Sequence, residues 1–179
     1  QNAQSIYDQI EAKLTLPEFR PRALFKRFNI EVMCTTDAAT DPLTHHQALR
    51  NSGWDGKIRP TFRPDTVVNL LTPGWSGNVE ALSKASGINV TSYKEFIRAL
   101  ENRRAFFKSM GAVATDHASE TAYTAELGSS ETEAVFQRAL QGRTGLEDAR
   151  RFAGHMMMVF ARMSIDDELV MQFHVGSAR

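Results

Sequence analysis

The chain alternates short segments rich in β-branched and apolar residues with longer segments of helical period, and this order constrains its fold more than any other feature. Such alternation is typical of parallel strands, because parallel neighbours need a long crossover, usually a helix, rather than a tight turn. The clearest helical period covers residues 146–163. The sequence therefore predicts an α/β fold with a parallel sheet. The strand candidates are residues 30–35, 57–62, 112–115 and 169–175.

Helices are expected between these strands, and several residues are typical of helix ends. Pro17 opens one helix, because its missing N–H has no intrahelical partner in the first turn. Thr91 is predicted to cap another helix, with Glu95 close to the capping-box position, and Gly111 ends it. The helical segment after the second strand predicts an insertion at residues 66–110. The predicted helices span residues 6–14, 17–28, 41–51, 92–110, 119–127, 131–140 and 146–163.

The composition is that of an ordinary globular domain. The chain has 179 residues, of which 42% are hydrophobic and 23% charged, and its formal net charge is zero. These values argue against intrinsic disorder. Neutral charge argues against a nucleic-acid partner, which usually requires a basic surface. The longest apolar run, residues 156–161, is too short to cross a bilayer, so no membrane partner is expected.

Cysteine usage and the two chain ends carry further expectations. Cys34 is the only cysteine, which excludes an internal disulfide and a thiolate-cluster metal site and fits a cytoplasmic protein. The chain begins at Gln1 without Met or a signal peptide, and it ends at Arg179 soon after a strand-like run. We therefore expect both ends to be cuts, with residues 1–179 forming one partial domain.

Polar or charged residues stand at the C-terminal end of every strand candidate. In a parallel α/β barrel these ends form the active-site face, although polar residues also cap the helices that follow. From the residues alone, a catalytic face and a set of helix caps are about equally supported. The residues are Thr35, Thr36 and Asp37, then Arg63 and Asp65, then Asp116 and His117, and finally Gln172, His174 and Arg179.

Each of these positions has both a functional and a structural interpretation. A turn cap is favoured for Asp37. Arg63 suits bidentate carboxylate binding, or it belongs to a structural ion pair. Asp116 is a general acid/base or a turn residue, and His117 is a site residue or a satisfied buried imidazole. For His174, a ligand role and a core role are close to balanced because of its position at the strand end.

Together, these strand ends resemble the uronate isomerase (glucuronate isomerase) family of the amidohydrolase superfamily. The most specific part is Thr-Phe-Arg-Pro-Asp at residues 61–65, which follows Ser-Gly-Trp at residues 52–54. The pair Asp116-His117 would be weak alone, but the order and spacing of all segments make the resemblance strong. The matching stretches are residues 28–37, 52–55, 59–65, 115–117 and 171–176.

This resemblance implies a fold and an activity for a longer protein. The chain would be part of a (β/α)8 TIM-type barrel, about strands 2 to 5, with a helical insertion. Family members convert D-glucuronate to D-fructuronate and D-galacturonate to D-tagaturonate through an enediol. The resemblance also implies a hexuronate substrate, a homo-oligomer, a place in hexuronate and pectin catabolism, and one divalent metal, usually zinc.

The same resemblance implies roles for particular residues. Asp116 and His117 would be catalytic, and Arg63 and His174 would bind substrate. The family's His-x-His metal motif and its late-strand Asp do not occur in these 179 residues. We therefore expect this piece to bind no metal in the family manner and to be inactive by itself.

Two other functions stay open at this point. One is a hydrolase of the same superfamily, because a fold does not by itself determine function. The other is a non-catalytic domain made of a barrel fragment. In either case, a partial barrel has two open strand edges, which invite pairing with other chains. We expect the isolated piece to be unstable, to aggregate, or to persist only beside its missing parts or a second copy.

Overall fold

The computed structural model describes residues 2–176, and its centre is a parallel sheet of four strands in the order β1-β2-β3-β4. Helical segments separate consecutive strands, so each connection is a crossover. The predicted α/β fold with a parallel sheet is therefore confirmed. The strands are β1 (Val32–Ala38), β2 (Lys57–Arg63), β3 (Ala114–Ser119) and β4 (Val170–Val175).

Most of the described chain outside this sheet is helical. A short 3₁₀ helix at Pro17–Phe19 lies between the first two of them. None of the helices within residues 2–176 has the length and apolar character needed to cross a membrane. The α-helices are α1 (Ala3–Leu14), α2 (Pro21–Arg27), α3 (Thr44–Asn51), α4 (Asp65–Val68), α5 (Trp75–Ser86), α6 (Tyr93–Ser109), α7 (Ser129–Leu140) and α8 (Leu146–Asp167).

The strands are not paired equally. β1 and β2 pair along their whole length, from Val32 opposite Lys57 to Ala38 opposite Arg63. β3 and β4 are also paired throughout. In contrast, β2 and β3 share only the register pair Phe62 and Thr115. The middle of the sheet therefore depends on side chains and on covering helices more than on backbone hydrogen bonds.

The core lies between the sheet and the helices, and aromatic rings fill much of it. Phe96 of α6, Phe136 of α7 and Phe152 of α8 are all fully buried, and the Phe96 ring contacts both of the other rings. Phe62 of β2 meets Phe107 of α6 edge to face, with ring centroids 5.3 Å apart. Burying one such side chain contributes about 2 kcal/mol to folding. These contacts attach α6, α7 and α8 to one another and to the sheet.

Several predicted element boundaries are wrong, among them the limits of the first strand, of α3 and of α8, and backbone hydrogen bonds explain two others. The third strand begins at Ala114, not at residue 112, because the Ala112 N–H still bonds to the Phe107 carbonyl 3.0 Å away. With Gly111 at φ +88°, this bond closes a helix C-terminus of the Schellman type. At the other end of α6 the cap is Ser92, whose hydroxyl accepts from the Glu95 N–H, and not Thr91.

The helix predicted at residues 119–127 is also wrong. Ser119 ends β3, and the described chain from there to Gly128 contains no helix. This segment lies against α8 at Gly154, where an added Cβ would be 2.8 Å from Tyr123 and 3.0 Å from the Ala125 backbone N. Packing against α8 therefore overrides the local helical pattern.

The helical insertion expected at residues 66–110 stays a prediction. The helices α4, α5 and α6 do lie between β2 and β3 in the chain. However, α6 packs directly on β2 through Phe107, as a crossover helix of a barrel does. The expected instability of the isolated piece also stays a prediction, although β1 and β4 are edge strands of this sheet.

Candidate active site

Strand alternation sorts the residues predicted for the site onto two faces of the sheet. The Phe62 side chain faces α6, and the His117 ring lies 4.8 Å from the Phe160 ring of α8. These side chains belong to a face that helices cover. Arg63 follows Phe62 in β2, and Asp116 precedes His117 in β3. Because successive side chains of a strand point to opposite faces, Arg63 and Asp116 point to the other side of the sheet. We call the second side of the sheet the Arg63 face.

Three of the four predicted site residues meet on the Arg63 face. The Arg63 guanidinium donates a hydrogen bond from Nη2 to Oδ2 of Asp116. The imidazole Nε2 of His174 lies 3.6 Å from Oδ1 of the same carboxylate. Asp65 approaches Arg63 from the other side, with its Oδ2 3.3 Å from Arg63 Nε. These four residues form what we call the strand-end cluster.

The chain around Pro64 explains how Asp65 reaches the cluster. Pro64 follows the last residue of β2 and has no N–H to continue the ladder. Asp65 is then the first residue of α4. Its carboxylate accepts from the Ala118 N–H of β3, at 3.3 and 3.4 Å to the two oxygens. Asp65 therefore joins the ends of β2 and β3 and also contacts Arg63.

Burial separates the members of the cluster into an inner pair and an outer residue. The side chain of Asp116 is 6% exposed and that of Arg63 is 20% exposed, whereas that of His174 is 46% exposed. Asp116 is thus the innermost carboxylate, and Arg63 compensates its charge. His174 stands at the solvent side, where an incoming ligand would meet it first.

Among the described residues, one oxygen of Asp116 has no hydrogen-bond partner. Its Oδ1 is buried and accepts no hydrogen bond from any described residue. Buried polar atoms in native proteins are nearly always satisfied, so such an atom requires an explanation. The Nε of Arg63 is also buried without a hydrogen bond among these residues, because Asp65 approaches it with unsuitable geometry. Both atoms belong to the strand-end cluster.

His117 is not part of this cluster. It is 2% exposed, and its Nε2 lies 2.9 Å from the Thr115 hydroxyl on the helix-covered face. Burial, with the nearby charges of Arg104 and Arg63, lowers the pKa of His117 to about 3. The ring is therefore neutral near neutral pH. Its assignment as a catalytic residue stays a prediction, and its orientation does not support contact with a ligand on the Arg63 face.

The turn cap predicted for Asp37 is wrong, because β1 continues through this residue to Ala38. Its Oδ2 accepts a hydrogen bond from the Thr35 hydroxyl at 2.7 Å. The same hydroxyl lies 2.9 Å from Nε2 of His46 in α3. Asp37 therefore belongs to a polar contact that attaches α3 to β1 on the helix-covered face, away from Asp116.

The remaining strand-end residues have different outcomes. Gln172 is the register partner of Asp116 and lies on the Arg63 face of β4. Arg179 lies outside the described residues. The sequence places Asp65 among the strand-end residues but predicts no role for it in the site. The sequence feature that could have indicated this role is the spacing Arg63-Pro64-Asp65. With one proline between them, both charged side chains can lie at the same end of the sheet.

The described residues provide too few ligands for a complete metal site. Within residues 2–176, no group of three or more His, Cys, Asp or Glu side chains is arranged to hold a metal ion. Asp116 and His174 provide a carboxylate and an imidazole, which is fewer than the three protein ligands that a catalytic zinc usually has. The described residues therefore do not fit a complete metal centre.

The sheet and its strand-end cluster define a class of protein, a parallel α/β domain with charged residues at the C-terminal ends of its strands. The profile of the glucuronate isomerase family matches residues 1–179. The chain therefore belongs to the glucuronate isomerase family, as its strand ends predict.

Curated relatives agree with the family match. A uronate isomerase of Nostoc punctiforme is 54% identical over 178 residues, which cover 99% of this chain and 38% of the relative. A uronate isomerase of Rhizorhabdus wittichii is 46% identical over 179 residues, which cover 100% of this chain and 38% of the relative. The chain thus spans 38% of the length of these curated relatives.

Solved structures resemble the fold closely. The crystal structure of glucuronate isomerase from Caulobacter crescentus matches with a TM-score of 0.90 at 42% identity, covering 96% of this chain and 36% of the other. That of uronate isomerase from Thermotoga maritima matches with a TM-score of 0.86 at 30% identity, covering 92% and 37%. The four strands are therefore part of a TIM-type barrel, which confirms the predicted fold class.

Proposed function

We propose that the protein to which this chain belongs is a uronate isomerase, which interconverts the aldose and ketose forms of hexuronates. The observation that carries the proposal is the buried Oδ1 of Asp116, which has no hydrogen-bond donor among the described residues and lies between Arg63 and His174. The names of the similar proteins support the same activity.

The chemistry of an aldose–ketose isomerisation explains why these groups would be needed. The reaction takes a proton from C2 and from the C2 hydroxyl, forms an enediol, and leaves protons on C1 and on the C1 oxygen. Each transfer requires a group that holds or moves a proton at a defined atom. Negative charge on the enediol oxygens is stabilised by a fixed cation. A carboxylate beside a guanidinium provides both functions.

Each member of the cluster receives a role in this proposal. Arg63 binds substrate oxygens through its remaining N–H groups, and its planar fork suits a carboxylate or an enediolate. Asp116 accepts the hydrogen bond or proton of a sugar hydroxyl at Oδ1. His174, half exposed, hydrogen-bonds the sugar from the solvent side. His117 packs on the helix-covered face of β3 and does not contact substrate.

The substrate class follows from the charges. D-Glucuronate and D-galacturonate each carry one carboxylate and several hydroxyl groups, and the cluster offers one guanidinium, one imidazole and two carboxylates. A divalent metal, zinc by resemblance, is proposed for the whole enzyme and would be held by other residues. When bound, it would polarise substrate oxygens.

The cellular setting is proposed along with the activity. A cytoplasmic homo-oligomer that acts in hexuronate and pectin catabolism, with no nucleic-acid partner, fits a chain with a formal net charge of zero and a single cysteine. Native mass spectrometry of the whole enzyme would give the number of subunits directly.

The first experiment is turnover of the full-length enzyme on D-glucuronate and D-galacturonate, with and without a chelator. Arg63→Met and Asp116→Asn are the test variants, and Arg98→Met, on the exposed surface of α6, is the matched control. We expect chelator-sensitive isomerisation that both test variants lose by at least about 100-fold and that the control retains.

Other results would contradict the proposal in different ways. Folded enzyme that ignores both uronates but hydrolyses an amide or lactone would indicate a hydrolase of the same superfamily. No turnover on any of these substrates would favour a non-catalytic barrel domain. Full uronate activity in Asp116→Asn would leave the isomerase assignment intact and remove Asp116 from the mechanism.

A further inference from the structure

Arg103 in the middle of α6 is a buried cation that forms no salt bridge among the described residues, although the Asp41 carboxylate is near enough for the two charges to interact. The whole residue is 5% exposed, and no ion pair within residues 2–176 includes it. Its guanidinium instead lies 4.3 Å from the centre of the Phe106 ring. Burying a charge costs free energy unless hydrogen bonds compensate it. The hydrogen-bond partners of this guanidinium are therefore important for the stability of the fold around it.

Those partners are backbone carbonyls in two separate segments. The Nε of Arg103 donates to the Ala39 carbonyl at 2.9 Å, and Nη2 donates to the Asp41 carbonyl at 2.7 Å. Its Nη1 donates to the Ala85 carbonyl in the last turn of α5 at 3.0 Å. Three nitrogens of one planar group are thus used in three directions, which a lysine amine cannot reproduce.

Two of these carbonyls belong to the loop that follows β1 at the C-terminal end of the sheet. Ala39 is fully buried, and its own N–H donates to the Arg63 carbonyl at 2.8 Å. Ala39 therefore connects the two arginines: its carbonyl accepts from the Arg103 guanidinium, and its N–H donates to the Arg63 backbone. The direction of the Arg63 side chain depends on this backbone, since Arg63 is the last residue of β2.

The loop has few other restraints at this point. Leu43, its last residue, has φ +54°, a conformation that is unfavourable for a side chain with a Cβ. The Asp41 side chain supports it by accepting from the Leu43 N–H at 2.6 Å. Among the described residues, only Arg103 donates hydrogen bonds from α6 to the carbonyls of Ala39 and Asp41.

We propose that Arg103 is a positioning residue for Arg63, acting through Ala39 to hold the C-terminal ends of β1 and β2 in the geometry that the strand-end cluster requires. The inference rests on the proposed isomerase function for its activity readout, but its structural part does not. A purely structural alternative exists, in which Arg103 only caps the C-terminus of α5 through Ala85. The two roles differ in what they do to substrate binding.

Kinetics of the full-length enzyme on D-glucuronate separate the two roles. In Arg103→Met, a displaced Arg63 binds substrate and the enediolate less well, so KM rises and kcat/KM falls on the order of 100-fold, as for a displacement of about 1 Å. A capping role would reduce only the fraction of folded enzyme, leaving KM unchanged. The matched control is Arg98→Met on the exposed surface of the same helix, with wild-type KM expected.

Chemical rescue and hydrogen exchange complete the test. Guanidinium chloride at millimolar, non-denaturing concentrations is expected to recover part of the lost activity of Arg103→Met but not that of Arg63→Met. By mass spectrometry, exchange of the Ala39 amide is expected to become faster in Arg103→Met and to stay slow in Arg98→Met. If Arg103→Met does not fold, Arg103→Lys replaces it, since it keeps the charge and loses two of the three directions.

The outcomes are distinct. Unchanged KM in Arg103→Met, or unchanged exchange at Ala39, would overturn the positioning role. If the wild-type enzyme has no activity on uronates, the proposed function fails, and the exchange measurement alone decides whether Arg103 holds Ala39. Raised KM together with faster exchange and guanidinium rescue would establish the role.

Discussion

Arg63 and Asp116 form an ion pair directly beyond the single register pair that joins β2 to β3. That pair is Phe62 with Thr115, so the next residue along each strand is Arg63 and Asp116 respectively. Both turn to the face opposite the helices, and both are largely buried. The ion pair therefore reinforces the most weakly paired part of the sheet and, at the same place, forms the centre of the proposed site.

Removing one partner of this ion pair should destabilise the full-length enzyme. Arg63→Met leaves the Asp116 carboxylate buried without its cation, and we expect a loss of about 2–4 kcal/mol in the free energy of unfolding. The double variant with Asp116→Asn should lose less than the sum of the two single losses, because neither charge is then uncompensated. Urea unfolding of all four proteins measures this, and strictly additive losses would contradict a coupled pair.

Acid should destabilise the protein partly through His117. Its pKa in the folded protein is about 3, below the value of about 6.5 expected in the unfolded chain. The unfolded chain therefore binds the additional proton between these values. The stabilising contribution is complete above about pH 6.5 and decreases as pH falls toward 3, by at most about 1.4 kcal/mol per pH unit.

The variant His117→Asn tests this pH dependence. It lacks the titrating imidazole, so its free energy of unfolding should fall less steeply between pH 6.5 and pH 4 than that of the wild type. Urea midpoints at several pH values, converted to free energies, provide the comparison. Parallel curves for the two proteins would show that His117 does not titrate as its buried position requires.

Gly154 in α8 should not tolerate a side chain. A Cβ there would lie 2.8 Å from Tyr123 and 3.0 Å from the Ala125 backbone N, so the segment after β3 would have to move. We expect Gly154→Ala to cost about 1–3 kcal/mol. The control is Gly77→Ala in α5, where an added Cβ would have no described atom within 4 Å apart from its own helix backbone and chain neighbours. This variant should be more stable than the wild type by about 0.5–1 kcal/mol. Thermal unfolding compares them, and similar shifts would contradict the close approach.

His174 should affect substrate binding more than the chemical step. Its side chain is 46% exposed, and its Nε2 lies 3.6 Å from the innermost carboxylate of Asp116. In the full-length enzyme we expect His174→Gln to raise KM for D-glucuronate about 10-fold, roughly the value of one lost hydrogen bond, with a smaller change in kcat. Steady-state kinetics decide this. A large fall in kcat at constant KM would instead assign His174 to proton transfer.

The sequence by itself determined the fold class, the family and most of the cluster. Periods of 2 and 3.6 residues are local properties, so the order of strands and helices could be predicted from the residues. The parallel arrangement followed from that order. The positions of Arg63, Asp116 and His174 at strand ends made them candidates, and the family resemblance implied their roles. Their contact in the structure follows from the same rule, since parallel strands end at one edge of the sheet.

Only the tertiary structure decided which neighbours act together. Asp116 and His117 are adjacent in sequence, yet strand alternation sends one to the Arg63 face and the other beneath α8. The segment from Ser119 to Gly128 has a helical pattern but packs as a loop against Gly154. Arg103 had no sequence signal, because its partners are backbone carbonyls 18 to 64 residues away. Contacts of that kind exist only after the chain has folded, so no local pattern could indicate them.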